Sequence, residues 1–268
     1  MRFLVYAAAA LTVILLVGIL GYVLVRGLPN ITPAFLLQSD SVLKKTMGIF
    51  PLIVNTLCII VLSLVIALPL GVGAAIYLTE YAASGRLVRI IEFAAETLTG
   101  IPSIIFGLVG MMLFVQKLGL QAGILAGGLT LVMMILPTII RTTQESLKTV
   151  PQSYREGALA LGAGKWHMVR TVVLPGAVDG IVTGCILAIG RIVGESAALL
   201  YTAGFGMALV SLFDSLHTSS ATLTVALYVY ATEGGETALA FSIATILMVL
   251  TLLINLTAGI IGRKLKRK

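Results

Sequence analysis

Long apolar stretches dominate this chain and limit what it can fold into. Six such stretches separate the few charged residues, and each has the ~20 residues that a membrane-spanning helix needs. Hydrophobic residues make up 59% of the chain and charged residues only 11%, whereas a soluble domain carries about 25% charged residues. Because a helix satisfies its own backbone hydrogen bonds in lipid, we predict an all-α polytopic membrane protein with six transmembrane helices. The predicted spans are residues 3–25, 51–78, 90–115, 118–140, 178–200 and 238–261.

The distribution of Lys and Arg predicts how the spans are oriented. Six spans place both termini on the same side, and most of the 18 basic residues fall on that side. Since cytoplasmic loops carry such an excess, we expect both termini in the cytoplasm. The net charge of +7 therefore reflects membrane topology rather than nucleic-acid binding. The basic residues expected on the opposite side are Arg26, Lys44, Lys45 and Lys117.

The chain is expected to form one helical bundle with two extended connections. Residues 1–49 are expected to hold a first transmembrane helix and an outer loop, residues 50–262 the transmembrane domain, and residues 263–268 a basic cytoplasmic tail. The first apolar run exceeds the roughly 7–15 residues of a signal-peptide core, so we expect this helix to be retained. Residues 141–176 form the inner connection, and residues 203–237 are expected to form a partly helical, partly re-entrant cap outside.

Arg191 and Glu195 are charged residues within the fifth predicted span. At a spacing of four they share one face of a continuous helix. A charge at mid-membrane costs at least ~2.5–3.5 kcal/mol on insertion scales, so such residues usually face a cavity or a partner. Two interpretations fit: an ion pair that only locks helices together, or a pathway arginine whose planar guanidinium binds an oxyanion. The small residues predicted on the same stripe are Gly184, Ala188 and Ala198.

Further charged residues lie at the cytoplasmic ends of the third and fourth spans. Arg141 is expected to close the fourth helix, either as a topology anchor or as a guard of the inner mouth of a pathway. Glu92 and Glu96 are four apart, so they share a helical face. We expect them to pair with Arg86 or Arg89 at the membrane interface.

Pairs of glycines at a spacing of four predict where helices approach each other closely, because glycine lets two backbones come together. Three pairs of this kind occur in the fourth and fifth spans. They are Gly123 with Gly127, Gly180 with Gly184, and Gly190 with Gly194.

The inner connection is expected to contain a short helix. Ser153 lies three residues before Glu156, which is the spacing of a capping box that begins a helix. Gly162 is expected to end this helix, since glycine is the usual residue just after a helix C-terminus. The alternative is an amphipathic segment that lies on the lipid headgroups. The segment reads EGA from Glu156, three residues, Gly162, nine residues, and then VVLP.

This pattern resembles the EAA loop of ABC-importer permeases, which reads EAA, three residues, Gly, nine residues, Ile-x-Leu-Pro. Here Gly157 replaces the first Ala of the EAA triplet, and Val172 replaces the Ile. In that family the loop forms a coupling helix that docks on a separate ATP-hydrolysing subunit. The resemblance implies that the residues of this contact are Glu156, Gly157, Ala158, Gly162, Leu174 and Pro175.

Two further stretches resemble the PstA family of permeases from bacterial phosphate importers. They read GRIVGESAALLYTAG at residues 190–204 and GIPSIIFGL at residues 100–108. The resemblance implies a type-1 ABC permease fold in the bacterial inner membrane. It also implies phosphate as the substrate, and three kinds of partner: a second, related permease, a pair of ATPase subunits, and an external phosphate-binding protein. The residues implied along the phosphate pathway are Arg191, Glu195 and Arg141.

The chain has no ATP site of its own, so we expect no cofactor or metal in it and no catalytic residues. Gly164 and Lys165 are followed by Trp166, which lacks the hydroxyl that a phosphate-binding loop uses to hold Mg²⁺. ATP and Mg²⁺ are therefore expected on the partner ATPase.

The alternatives to a phosphate-importer permease are a permease for another small oxyanion or nutrient, a secondary transporter or channel, and a structural membrane scaffold. A secondary transporter more often has paired inverted halves with broken helices, and no such repeat is visible in the sequence.

Overall fold

The computed structural model describes residues 2–41, 46–82, 85–207, 212–232 and 235–266. Within these residues, four unbroken helices are long and apolar enough to cross a membrane. Two further pairs of helices meet this criterion together but are bent at a break, which makes six spans if each pair counts as one. The predicted all-α polytopic fold is confirmed. The four unbroken spans are Arg2–Asn30, Phe50–Tyr81, Ile124–Thr149 and Thr237–Gly262.

Short connections join the helices, and several helices continue directly into a tighter or wider helical turn. The N-terminal half contains α1 (Arg2–Gly27) with a 3₁₀ turn (Leu28–Asn30), α2 (Pro33–Leu37), β1 (Ser39–Ser41), β2 (Thr46–Ile49), α3 (Phe50–Ile76) with a π turn (Tyr77–Tyr81), α4 (Arg86–Thr99), and α5 (Ser103–Gly110) with a π turn (Met111–Lys117). The C-terminal half contains α6 (Ile124–Thr149), α7 (Gln152–Ala160), α8 (Lys165–Met168) with a π turn (Val169–Val173), α9 (Leu174–Gly176), α10 (Val178–Val193), α11 (Ala197–Thr202), α12 (Leu212–Ser215), α13 (Leu223–Thr232) and α14 (Thr237–Lys266).

Strands β1 and β2 are the part of the fold that the all-α prediction does not include. They pair antiparallel, with Ser39 opposite Ile49. This stretch between the first two spans is too polar to form a spanning helix, and strand pairing satisfies its backbone groups instead. Lys44 and Lys45, which are predicted on the outer side, lie outside the described residues.

The core of the bundle lies where α3 packs along α6. Large, fully buried side chains fill this contact, among them Leu52, Ile59, Leu131 and Ile135. α10 also packs against α6, while α14 contacts α1, α10 and α13. α6 is therefore the central helix of the described chain, and it ends at the inner connection.

α1 joins the bundle through α14. The rings of Tyr22 and Phe241 meet edge to face with their centroids 5.5 Å apart. The hydroxyl of Thr245 donates a hydrogen bond to the backbone carbonyl of Val23 at 3.2 Å. Most other residues of α1 are exposed, as expected of an apolar helix whose surroundings are lipid.

The third predicted span is wrong in shape. The chain bends by 105° between Val88–Thr99 and Ser103–Lys117. The break precedes α5 at Pro102, whose backbone is extended, with φ −56° and ψ 137°. A proline disfavours helical backbone in the residue before it, so the helix cannot continue through Ile101. The predicted span therefore consists of α4, a sharp bend and α5.

The fourth and fifth predicted spans are wrong at their C-terminal ends. α6 continues to Thr149, so Arg141 lies inside this helix instead of closing it. α10 ends at Val193, with Gly194 at the C-cap position; glycine is a poor helix former because it loses much backbone entropy. Arg191 and Glu195 therefore do not lie on one continuous helix.

The glycine prediction holds for two of the three pairs. An added Cβ at Gly123 would lie 2.8 Å from two backbone carbonyl oxygens of the outer connection, and one at Gly180 would collide with Ser146 of α6. An added Cβ at Gly190 would have nothing within 4 Å among the described residues. The third pair therefore makes no close approach within the described part of the chain.

The outer connection folds back onto the bundle, and its predicted partly helical character is confirmed by α12 and α13. The backbone N–H of Leu223 donates to the hydroxyl of Thr56 in α3 at 3.0 Å. The side chain of Asn55 donates to the carbonyl of Ala221 at 3.1 Å. Glu233, which belongs to the predicted cap, lies outside the described residues.

Candidate functional site

The inner connection folds into the short helix α7, as the sequence predicts. Its C-terminus is a Schellman motif: the N–H of Ala163 donates to the carbonyl of Ala158 at 3.1 Å, and the N–H of Gly162 donates to the carbonyl of Leu159 at 2.9 Å. Gly162 has a φ of +85°, a backbone conformation that glycine adopts without steric cost. The predicted role of Gly162 as the helix terminator is confirmed.

The predicted N-cap at Ser153 is wrong. α7 begins at Gln152, and the N-cap position is Pro151, with no side-chain capping hydrogen bond. Val150 is extended, with φ −68° and ψ 125°, because the following proline disfavours helical backbone there. Pro151 therefore ends α6 and begins α7, and Ser153 lies inside the first turn.

α7 and the residues just after it present large apolar side chains to solvent. Leu161 is 91% exposed, Tyr154 61% and Trp166 59%. Glu156 is exposed as well and forms no ion pair with a described residue. Large exposed apolar side chains that lie close together are typical of a surface that binds another protein.

The other predicted coupling residues differ in what they contact. An added Cβ at Gly157 would meet no described residue within 4 Å, so the Ala of the family's pattern would fit at this position. Ala158 and Leu174 are half-buried and pack against a small core. Pro175 is exposed in α9. The loop motif thus contains some residues that pack the loop against the spans and others that are exposed.

The small core beneath α7 joins the inner connection to two spans. Its buried side chains come from the inner end of α3, the end of α6, and the segment that returns to α10. Because these side chains form one cluster, the connection packs onto the spans rather than extending away from them. The members are Ala75, Ile76, Leu78, Ile140, Leu147, Val150, Met168, Val169, Val173 and Ala177.

A buried ion pair fixes α7 to the same two spans. Nη2 of Arg155 lies 2.8 Å from Oε1 of Glu80 in the π turn after α3. Arg155 also donates from Nη1 to the carbonyl of Val150 at 2.6 Å, and from Nη2 to the carbonyl of Leu147 at 2.9 Å. The Arg155 and Glu80 side chains are only 11% and 6% exposed. Removing one partner of a buried pair typically costs about 3–5 kcal/mol.

The sequence contains little that would reveal this pair. Glu80 and Arg155 are 75 residues apart, and Arg155 is only one of several basic residues in the inner connection. The one available signal is that Glu80 is an acid at the inner end of a span, where basic residues prevail.

Arg141 joins α4 to α6 through an exposed network. Its Nη1 lies 3.0 Å from Oε1 of Glu96, and its Nε lies 3.1 Å from Oε1 of Glu145. The side chain of Arg141 is 55% exposed, and water and salt weaken ion pairs in such exposed positions. The network therefore holds the guanidinium in place without adding much stability.

The predicted pairing of the α4 acids with their own helix is wrong. Glu92 lies 3.8 Å from Nζ of Lys148 and accepts a hydrogen bond from Gln144 at 3.1 Å. Both partners belong to α6, because α4 packs its acidic face against the C-terminal part of that helix. The predicted partners Arg86 and Arg89 are exposed instead.

Arg191 and Glu195 do not form an ion pair with each other. Glu195 is buried, and its Oε1 accepts a hydrogen bond from the backbone N–H of Ala198 at 3.0 Å, at the start of α11. Arg191 is half-buried and makes no ion pair within the described part of the chain. The ion pair that would lock the helices together is therefore not formed between these two side chains.

The predicted stripe of small residues is a packing surface rather than an open path. Gly184, Ala188 and Ala198 are buried, and an added Cβ at Gly184 would collide with Thr142 of α6. A neighbouring stripe along α10 is exposed, and Arg191 lies between the two stripes. The exposed stripe consists of Thr183, Leu187, Gly190 and Gly194.

The sequence matches one protein family over residues 67–267, and that family is described as the binding-protein-dependent transport system inner membrane component. The chain belongs to this family. The matched region begins inside α3 and contains the whole inner connection, so it includes both partners of the buried ion pair. Members of the family are membrane components of transport systems, in agreement with the spans found here.

Similar proteins include both general and phosphate-transport permeases. The chain is 37% identical over 196 residues to the probable ABC transporter permease protein YqgI of Bacillus subtilis, covering 73% of this chain and 67% of that protein. It is 34% identical over 216 residues to the phosphate transport system permease protein PstA 1 of Mycobacterium tuberculosis, covering 80% and 70%. It is 37% identical over 199 residues to PstA of Xylella fastidiosa, covering 74% and 68%.

Solved structures of ABC importers share the fold. A bacterial alginate ABC transporter chain matches with a TM-score of 0.71 at 16% identity, covering 99% of this chain and 96% of that one. A chain of the inward-facing MetNI methionine ABC transporter matches with a TM-score of 0.65 at 23% identity, covering 81% and 94%. The fold is therefore that of an ABC-transporter permease domain, as the loop motif implies.

Proposed function

We propose that this chain is the membrane-spanning permease subunit of an ATP-driven phosphate importer. The observation that carries the proposal is the identity of 34% to the phosphate transport permease PstA 1, which extends over 80% of this chain. The exposed surface of α7 and the half-buried Arg191, which has no ion pair among the described residues, support it, because they are the features that such a subunit needs for a partner and for an anion.

In this proposal α7 couples the chain to a separate ATPase subunit. The partner binds ATP and Mg²⁺, and the permease contributes no catalytic residue. Glu156 and the apolar side chains around it form the docking surface, while Gly162 gives α7 its defined end. Both termini and the inner connection lie in the cytoplasm, on the side where an ATPase has access to them.

The phosphate pathway runs along the exposed stripe of α10, and a second, related permease completes it from the other side. Arg191 stands at the edge of this stripe, and its planar guanidinium donates two hydrogen bonds in the geometry that phosphate oxygens accept. Glu195 holds the break between α10 and α11 rather than neutralising Arg191. Arg141, held between two acids, guards the inner mouth of the pathway.

An external phosphate-binding protein delivers the substrate to the outer connection. This segment lies on the side opposite to α7 and is tied to the outer end of α3 through Thr56 and Asn55. Docking of the binding protein on this segment acts directly on α3, which is one of the two spans to which α7 is fixed.

Co-purification followed by an ATPase assay tests this function. The chain is purified from its native membrane, and ATP hydrolysis by the associated complex is measured with the phosphate-loaded binding protein. We expect an ATPase subunit to co-purify and phosphate to stimulate its activity. Stimulation by sulfate or another nutrient, but not by phosphate, would assign a different substrate. A chain purified without any ATPase would contradict the proposal.

A further inference from the structure

Packing alone attaches α7 only weakly to the bundle. None of its residues is buried as a whole, although the side chain of Arg155 is only 11% exposed and Ala158 packs against the small core. A cleft of about 940 Å³ opens beside it, lined by Glu80, Arg89, Lys148, Arg155 and Lys165 among others. A helix with so little buried surface transmits a movement of a partner only if some other contact fixes it to the spans. The contact between Arg155 and Glu80 meets this requirement.

The geometry of Arg155 joins three elements at one point. The side chain belongs to α7, its carboxylate partner Glu80 follows α3, and the two carbonyls that it also binds, of Leu147 and Val150, lie at the end of α6. The last carbonyls of a helix have no intrahelical partners and carry partial negative charge. The planar guanidinium donates hydrogen bonds to these two carbonyls and to the carboxylate of Glu80 at the same time. A lysine cannot do this, because all of its donors are on a single nitrogen.

We propose that Arg155 and Glu80 are the positioning residues that make α7 move together with α3 and α6 during coupling. This inference rests on the proposed function and deepens it. Glu156 is exposed to the partner, while Arg155, the residue immediately before it, points into the bundle. These two adjacent residues therefore have different roles. Glu156 contacts the ATPase, and Arg155 transmits the displacement of α7 to the spans.

The decisive variant replaces both charges by apolar side chains, Glu80→Leu with Arg155→Met. Replacing a buried ion pair as a whole often leaves stability unchanged, whereas removing one partner does not. Arg155→Lys is the second variant, because it keeps the charge but loses the planar fork. Lys148→Met is the matched control. This residue is also basic, also ion-paired at the inner end of α6, but its side chain is 61% exposed.

A distance measurement tests directly whether Arg155 and Glu80 fix α7 to α3. Spin labels are placed on Leu70 of α3 and Leu159 of α7, which are 56% and 49% exposed, after Cys58 and Cys185 are replaced. In the assembled transporter, we expect the distance distribution between the labels to broaden in both test variants. We expect the wild-type distribution to remain in the Lys148→Met control.

Coupling is measured on the same reconstituted complexes. Typical coupling free energies between two sites correspond to about 5- to 150-fold effects. We therefore expect stimulation of ATP hydrolysis by the phosphate-loaded binding protein to fall about 5-fold or more in both test variants. Basal hydrolysis and assembly should stay at the wild-type level. The control should retain full stimulation.

The outcomes separate this inference from the proposed function. A double variant that assembles and keeps either the narrow distance distribution or full stimulation would overturn the inference. If the double variant does not assemble, the same two readouts on Arg155→Lys decide. A wild-type complex that phosphate does not stimulate would refute the proposed substrate, while the label distances would still report whether Arg155 and Glu80 fix α7.

Discussion

Replacing Arg191 by Lys should separate a pathway role from a structural one. Arg191 makes no ion pair within the described chain, and the hydrogen bond that Glu195 accepts from the N–H of Ala198 does not involve Arg191. The substitution therefore leaves no buried group without a partner, and we expect a change in unfolding free energy of about 1 kcal/mol or less. Arg155, which is buried and bound to both Glu80 and the end of α6, would show a much larger loss of about 3–5 kcal/mol on truncation.

The expected effect on transport is larger than the effect on stability. A hydrogen bond to a charged group is worth about 1.5–3 kcal/mol, and each 1.4 kcal/mol corresponds to a tenfold change. Loss of one arm of the guanidinium fork should therefore lower phosphate uptake roughly 10- to 150-fold. Uptake of radiolabelled phosphate into proteoliposomes measures this, with the exposed Arg86→Lys as the control that should remain near wild type.

Two results would refute this reasoning about Arg191. Wild-type uptake by an assembled Arg191→Lys complex would exclude the proposed anion contact. Recovery of uptake when Arg191 and Glu195 are both replaced by Gln would restore the locking interpretation, since an ion pair that only holds helices together is dispensable once both charges are absent. We expect the double variant to assemble and to remain inactive.

Three further predictions concern the coupling surface, the packing and the outer connection. Glu156→Lys should abolish stimulation of ATP hydrolysis while changing the unfolding free energy by less than about 0.5 kcal/mol, because the side chain is exposed; unchanged stimulation would argue against docking through α7. Gly107→Ala should destabilise the chain by about 1–3 kcal/mol in thermal unfolding, since the new Cβ would lie 2.8 Å from the Cα of Ala198, whereas Gly73→Ala, with open space around it, should not. A cysteine at position 214 in place of Asp214 should crosslink to the phosphate-binding protein; crosslinks to the partner permease alone would reject the proposed docking site.

Local signals in the sequence were sufficient to predict the helical membrane fold and the short helix α7 of the inner connection. The apolar spans need no tertiary information, because each is long enough to cross the membrane by itself. The end of α7 also follows from one residue, since Gly162 supplies the positive φ of a Schellman motif. The spacing of the loop motif then placed its exposed acid, Glu156, on the correct helix.

Breaks within the spans could not be predicted from hydropathy. The bend before Pro102 and the end of α10 at Val193 both occur inside apolar sequence, where composition contains no boundary. Proline and glycine signalled both places, but the same residues also occur inside intact helices, as Pro69 does in α3. Which of them breaks the helix depends on tertiary contacts that can satisfy the freed backbone groups.

Ion pairing was the least predictable part of the site. Helical spacing suggested local partners for Glu92 and an Arg191–Glu195 pair, yet three of the four ion pairs within the described residues connect different elements, and only Arg141 with Glu145 lies on one helix. A buried charge must find a partner wherever the fold provides one, and for Arg155 that partner lies 75 residues away. Periodicity identifies a shared face but does not identify what packs against it.

Uptake of radiolabelled phosphate by proteoliposomes containing the purified complex tests the central claim most directly. The account predicts that phosphate accumulates only when ATP and the phosphate-binding protein are both present, and that Glu156→Lys abolishes this accumulation. Accumulation without ATP, driven by an ion gradient alone, would identify a secondary transporter and contradict the account.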